Sequence, residues 1–306
     1  MRRSIISISL AGLTLLMWPA TAFAATDPGL GTAGNFAVLA GTGTSLTNTG
    51  PSWVTGQIGA AAGITGFPPG TAGPQHNADA VYTTAQTDLV AAYNGASQTT
   101  TTDYSNVNLG GKTLTPGVFN QSTAPTLTGT LTLNGPGIYI FKIGSTLVTA
   151  AGAPGAAAAK VVLIGGAQPC DIFWQVASSA TINPYTQFVG TIMAMTSIQM
   201  LTGATLWGRA LARTAAVTLD TNRIIQPSGC TTGLTTTYTA PAYVPPPSGN
   251  TLPASLGTIV VAPGATGIPD ELMRGQFPFL LLIAIAAGIA ATTLGIRSRR
   301  RRRRQA

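Results

Sequence analysis

Few residues in this chain carry side chains suited to covalent or metal chemistry. His76 is the only histidine. It stands in Pro74-Gln75-His76-Asn77, just ahead of a helical stretch, which suits a structural place at a helix start better than catalysis. Asp103, Asp171 and Asp220 are scattered singly, and no carboxylates recur in register as the pair that glycoside hydrolysis requires. No Ser-His-Asp set stands out, so the chain reads as a non-enzyme. Two cysteines and one histidine do not make a usual zinc site, and neither a metal nor a cofactor is expected. Trp53, Trp174 and Trp207 could line a sugar-stacking strip, but Trp174 lies inside an apolar run and reads as core.

Hydroxyl side chains are abundant and spaced. The pattern Ser/Thr-x-x-Thr appears as Thr146 to Thr149 and as Ser178 to Thr181. It continues, weakened, as Thr196 to Gln199 and Thr214 to Val217, where Gln199 and Val217 replace the expected Thr or Asn. Strand alternation turns Ile182 inward with Thr181 and Asn183 outward. It likewise turns Ile198 inward with Ser197 and Gln199 outward, and Val217 and Leu219 inward with Thr218 outward. Threonine is stiff at χ1, and strands stack about 4.8 Å apart. A column of outward threonines is therefore a rigid grid of methyls and hydroxyls that could hold water in fixed places and merge with an ice crystal. The plainer reading is that threonine is simply a good exposed strand residue.

Such a grid needs strands to carry it, and the chain supplies them. Charged residues are only 8% of the sequence, and short apolar runs broken by Gly or Pro point to all-β structure. Candidate strands are 127–133, 138–142, 160–164, 172–176, 188–193, 197–200, 206–212 and 217–219. Phe188 to Ala194 aligns with Leu206 to Ala212 at a shift of 18, matching Gly190 with Gly208 and Thr196 with Thr214. A repeat of that length fits one turn of a three-sided β-solenoid; a sandwich or barrel is the alternative. One helix is expected over about 78–94. Asn77 would cap it, Val81, Ala85, Leu89, Ala92 and Tyr93 would form its apolar stripe, and Asn94-Gly95 would stop it.

The two ends read as targeting segments. Residues 1–24 resemble a secretory leader, with Arg2-Arg3, an apolar run and the small-x-small site Ala22-Phe23-Ala24; an uncleaved anchor is the alternative. Residues 277–296 are uncharged and long enough for a transmembrane helix. The Arg-rich segment 297–306 should stay cytoplasmic, leaving the rest outside the cell. Leu252-Pro253-Ala254-Ser255 only weakly resembles a wall-sorting signal, so a plain membrane anchor is expected. Between lie a domain over 26–226 and a Ser/Thr/Pro-rich stalk and linker over 227–276. The net charge of +8 comes from the ends: nine of the sixteen Lys and Arg sit there, and the segment 26–276 is −1. That balance excludes a basic nucleic-acid surface. Cys170 and Cys230 fall in the exported part, where a disulfide persists; pairing would tie the last strand region to mid-domain.

The motifs are similar to those of the microbial ice-binding, or antifreeze, family built on an irregular β-solenoid. Matching stretches are Leu30-Gly-Thr-Ala-Gly-Asn-Phe-Ala-Val-Leu-Ala40, Val54-Thr-Gly-Gln-Ile-Gly59, Ile64-Thr-Gly-Phe-Pro-Pro-Gly70, Asp79 to Tyr93 and Gly111-Lys-Thr-Leu-Thr-Pro-Gly117. Later come Phe173-Trp-Gln-Val176, Ser178-Ser-Ala-Thr181, Phe188-Val-Gly190, Thr202-Gly-Ala-Thr205, Gly208-Arg-Ala-Leu-Ala212 and Ala216-Val-Thr-Leu-Asp220. The resemblance implies a right-handed, three-faced β-helix with the helix alongside. It also implies an ice-binding site on a flat face of Thr-Ala/Gly-x-Thr/Asn-like steps, which Thr202-Gly-Ala-Thr205 matches directly. The expected site is Thr146, Thr149, Ser178, Thr181, Asn183, Thr196, Ser197, Gln199, Thr202, Thr205, Thr214 and Thr218. The expected partner is ice or ordered water, met by a monomeric ectodomain tethered at the cell surface. A surface adhesin for polysaccharide or other cells is the alternative.

Overall fold

The computed structural model describes residues 24–123 and 126–228, and the backbone of 238–239. Its strands follow the alternation of the sequence. Gln187–Ala194 and Thr205–Ala212 pair in parallel at eight positions, each offset by 18 residues, from Gln187 with Thr205 to Ala194 with Ala212. The first half of Gln187–Ala194 touches Ala159–Ile164, at Lys160, while its second half pairs with Ile172–Val176. The first half of Thr205–Ala212 likewise pairs with Arg223–Ile225 and its second half with Phe36–Leu39. Each long strand thus bends across two sides of a coil, and a shorter strand in a second sheet makes the third. The bend falls at Gly190, whose φ of +107° favours glycine. Gly208 stacks on it so closely that a Cβ there would meet the Gly190 carbonyl oxygen at 1.9 Å.

The second sheet is seven-stranded and wholly parallel. Its order is Thr126–Leu127, Leu147–Thr149, Ala180–Ile182, Ile198–Met200, Val217–Asp220, Leu46–Thr49 and Ile64–Thr65. The coils are not stacked in chain order. The first coils dock onto the last, through Leu46 opposite Val217, 171 residues apart. Buried Arg209 helps hold this seam, donating from Nε to the Gly34 carbonyl at 2.9 Å and from a second nitrogen to Pro227 O at 3.3 Å. Desolvation pulls its guanidinium down to about 10, with Asp27 opposing. Gln226 donates to the same Gly34 carbonyl at 2.7 Å, and Ser52 Oγ accepts from the Asn222 amide at 2.8 Å.

Because Gln75–Asn77 and Thr102–Asp103 lie at opposite ends of the larger sheet, the chain between them must run the length of the stack. The helix Ala80–Gly95 does this; its 16 residues span about 24 Å, roughly five strand spacings. Its cap is Asp79, not the expected Asn77, because Asn77 is still strand, paired with Ala60. Asp79 Oδ1 accepts from the Tyr82 amide at 2.8 Å, and Asp79 Oδ2 meets His76 Nδ1 at 2.7 Å. Gly95 is the last helical residue rather than the stop beyond it. The buried stripe is Tyr82, Ala85, Gln86, Leu89, Ala92 and Tyr93. Val81, expected in it, is 40% exposed, since it lies about 100° round the helix from Tyr82. The stripe covers Phe36, Leu39, Val118, Ile140, Phe173, Met193 and Leu211.

Inside the coils an aromatic ladder runs Tyr104, Phe119, Phe141, Trp174, Phe188, with centroid spacings of 6.0, 5.1, 4.0 and 4.8 Å. Trp174 is fully buried and donates from Nε1 to Val189 O. The strand expected over 127–133 is two strands, Thr126–Leu127 in the smaller sheet and Gly129–Asn134 in the larger, turned at Gly129. Tyr238–Thr239 pair antiparallel with Leu163 and Val162, so the chain beyond residue 226, expected as stalk, still touches the domain. Among the described residues no helix is long and apolar enough to cross a membrane. The expected span 277–296, the Arg-rich tail, the leader through residue 23 and Cys230 lie outside the described residues.

Candidate functional site

The strands of the seven-stranded sheet turn alternate side chains into the interior and the others outward, so the outer surface is set by the outward residue of each strand. Cα register aligns Thr126, Val148, Thr181, Gln199, Thr218, Thr47 and Thr65 in one column. Thr126, Gln199, Thr47 and Thr65 are exposed, and Val148, Thr181 and Thr218 half-buried. The inward neighbours Leu127, Leu147, Ala180, Ile182, Ile198, Met200, Val217, Leu219 and Leu46 are all buried. None of the column's five threonine hydroxyls has a protein hydrogen-bond partner, so each is left to water. No side chain of the column titrates. A shallow hollow beside it is lined by Thr49, Gln199, Leu201, Thr218 and Asp220.

Two flanking columns lie two residues to either side. One runs through Thr146, Ser179, Ser197 and Ser45, the other through Asn183, Leu201, Asp220 and Thr49. In the first, Ser179 Oγ bonds both Thr196 Oγ1 at 2.7 Å and Ser197 Oγ at 2.9 Å. In the second, the Asn183 side chain donates to Thr149 O, and Asp220 accepts from Thr202 Oγ1 and Thr221 Oγ1. These hydroxyls and amides are partly occupied by the protein itself.

The expected site residues separate accordingly. Thr181, Gln199 and Thr218 share the central column, and Thr146, Asn183 and Ser197 flank it. Ser178, Thr196 and Thr214 lie in stacked bends at one corner, where Thr196 N donates to Ser178 O and Thr214 Oγ1 to Met195 O. Thr202 is exposed in a turn at the other corner. Two expectations are corrected. Thr149 is fully buried, with Oγ1 2.8 Å from Thr186 Oγ1. Thr205 is 1% exposed in the other sheet and donates to Thr186 O. Val217 is no gap in the column either: it faces the interior opposite Ile198, and Thr218 stands beside Gln199. The gap is Val148. Sequence reasoning missed Thr126, Thr47, Thr65 and Ser179; the 18-residue step from Thr47 to Thr65 was the signal for two of them.

The other groups singled out in the sequence do not converge. Asp103, Asp171 and Asp220 lie in separate elements. Among the described residues no group of His, Cys, Asp and Glu could hold a metal ion. Cys170 is disulfide-bonded. Trp53 stacks under the Arg223 guanidinium at 4.7 Å, and with Trp174 buried the three tryptophans make no strip.

Comparison with known proteins places this surface in context. A family model described as ice-binding-like matches residues 38–225. An ice-binding protein of Nostoc sp. (strain HG1) is 43% identical over 227 residues, 71% of this chain and 81% of the relative. One of Flavobacterium frigoris (strain PS1) is 35% identical over 219 residues, 65% of this chain and 76% of the relative. Among solved structures, an ice binding protein from an Antarctic biological consortium superposes with a TM-score of 0.60 at 39% identity, over 72% of this chain and 96% of the other. One from the ascomycete Antarctomyces psychrotrophicus reaches 0.61 at 34% identity, over 65% and 98%.

Proposed function

The chain belongs to the ice-binding-like family, and we propose that it adsorbs to ice through the outer surface of its seven-stranded sheet, shaping crystals or slowing their recrystallisation. The observation that carries this reading is the register of five threonines in one seven-position column, their hydroxyls without protein partners. Regular spacing and stiff χ1 torsions let the surface hold water in place with little loss of rotamer freedom. The methyls exclude disordered water between the hydroxyls. The helix leaves this side open, because it lies on the side formed by Phe36, Ile140, Phe173 and Leu211.

The test is a bulky substitution in the column. Thr47→Tyr is expected to abolish most binding to slowly grown ice while leaving the thermal melting curve in place, because Thr47 is exposed and packs no core. Full retention of ice binding by Thr181→Tyr together with Thr47→Tyr would sink the reading.

The same proposal extends to location. A leader over 1–24, a span over 277–296 and the Arg-rich tail 297–306 support an exported, membrane-tethered protein that works from the cell surface. Antibody access to the domain on intact cells, and its loss after external proteolysis, tests the tether. The relatives give the polysaccharide-adhesin alternative no support.

A further inference from the structure

The seven-position column is not uniform along its length. Thr218, Thr47 and Thr65 are consecutive, with direct register from strand to strand. On the far side of Gln199 the threonines are isolated: Thr181 lies between Gln199 and Val148, and Thr126 lies beyond Val148. The flanks differ too, although Asp220 beside Thr218 accepts from Thr202 and Thr221. Beside the consecutive run, Thr49 is exposed and its hydroxyl has no protein partner. Beside the broken run, Ser179 bonds both Thr196 and Ser197, and the Asn183 amide is taken by the chain.

Gln199 marks the boundary. It is the exposed residue between two half-buried threonines, Thr181 and Thr218, whereas Thr47 and Thr65 are exposed. It also forms one wall of the shallow hollow with Thr218, Thr49 and Asp220. A glutamine carries far more rotamer freedom than a threonine, and ordering it against a solid surface costs binding.

We propose that ice engages chiefly the end of the sheet assembled from both ends of the domain, at Thr218, Thr47 and Thr65, and that Gln199 is the residue that limits this patch. The inference rests on the ice-adsorption reading above. It makes the docking of the N-terminal coils onto the last coil a condition of ice affinity, since two of the three threonines arrive only through that seam.

The experiment measures partition of the full-length chain and its variants into slowly grown ice, with melting curves as the folding control. Thr47→Tyr is expected to lower ice affinity about tenfold and Thr126→Tyr less than about twofold, as for central against rim contacts. Gln199→Thr, which joins Thr181 to the run, is expected to raise it about threefold. If Thr47→Tyr does not fold, Thr65→Tyr on the outermost strand replaces it with the same expectation. An equal or larger loss from Thr126→Tyr, or no gain from Gln199→Thr, overturns this inference and leaves ice adsorption standing. No loss from Thr47→Tyr, Thr126→Tyr and Thr181→Tyr alike overturns both.

Discussion

Two sides of the same coils meet opposite fates. The helix side and the threonine side are both parallel ladders, built by the same turns of chain at the same spacing. Both send apolar residues into the interior. They differ in what they turn outward. On the helix side Phe36, Leu39, Val118, Ile140, Phe173, Met193 and Leu211 point out, and none is more than 1% exposed because the helix lies over them. On the threonine side the outward column is Thr126, Val148, Thr181, Gln199, Thr218, Thr47 and Thr65, and nothing among the described residues covers it. A large apolar side chain left in water forgoes about 1.5–3 kcal/mol, so the first side had to be closed. Threonine demands no such cover, and the second side is left for an external surface.

The largest effects are expected on the covered side. Phe173→Ala is expected to cost about 3–5 kcal/mol of stability, measured by denaturant titration. Its effect on ice binding should appear only where the domain unfolds. Arg209→Met removes the hydrogen bonds to Gly34 O and Pro227 O, and with them the bond to Thr191 Oγ1 on the adjacent strand. A loss of about 1–3 kcal/mol is expected, since the Pro227 carbonyl loses its charged donor while Gly34 O keeps Gln226, and amide exchange should rise first in the N-terminal coils.

Val217→Thr acts on the interior of the open side. A hydroxyl placed there enters the interior without a partner, so stability should fall by about 1–3 kcal/mol while ice affinity gains nothing. Any gain in ice affinity would show that the column had been assigned to the wrong face of the strand. Asp79→Ala is expected to lower the melting temperature slightly through loss of the helix cap. The hydrogen bond from the Tyr82 amide, then that from His76, holds the Asp79 carboxyl below its ordinary 3.8 in the folded chain. The cap is therefore fully effective above that value and is lost as pH falls through the depressed one. The acid limb of a melting-temperature profile should flatten in Asp79→Ala. The smallest effect expected is none: with no titrating side chain in the column, ice affinity should be level between roughly pH 6 and 9.

Much of the fold was legible because its repeat is local. Gly190 over Gly208 and Ala194 over Ala212 show the 18-residue turn in the linear sequence, and the paired strands bear it out. The site was legible only in part, for two physical reasons. Residues three apart on a strand face opposite sides, so a Ser/Thr-x-x-Thr spacing cannot place both hydroxyls on one surface. Thr146 faces out and Thr149 in, and Ser178 turns a corner while Thr181 faces out. Repeats also vary: the steps from Thr126 to Val148 and on to Thr181 are 22 and 33 residues, which hides the first member of the column.

The inward and outward alternation, the turn length, the helix along the stack and the family are all legible in the linear sequence. These rest on side-chain period and on glycines at fixed corners, which act over a few residues. The length of the threonine column and the place of its unbroken part depend on how distant coils dock. Leu46 finds Val217 across 171 residues of chain, a pairing that no local pattern encodes. Its cause is the exposed edge of the last coil, whose free amides and carbonyls are satisfied by the first coils. That closure carries Thr47 and Thr65 to the side of Thr218.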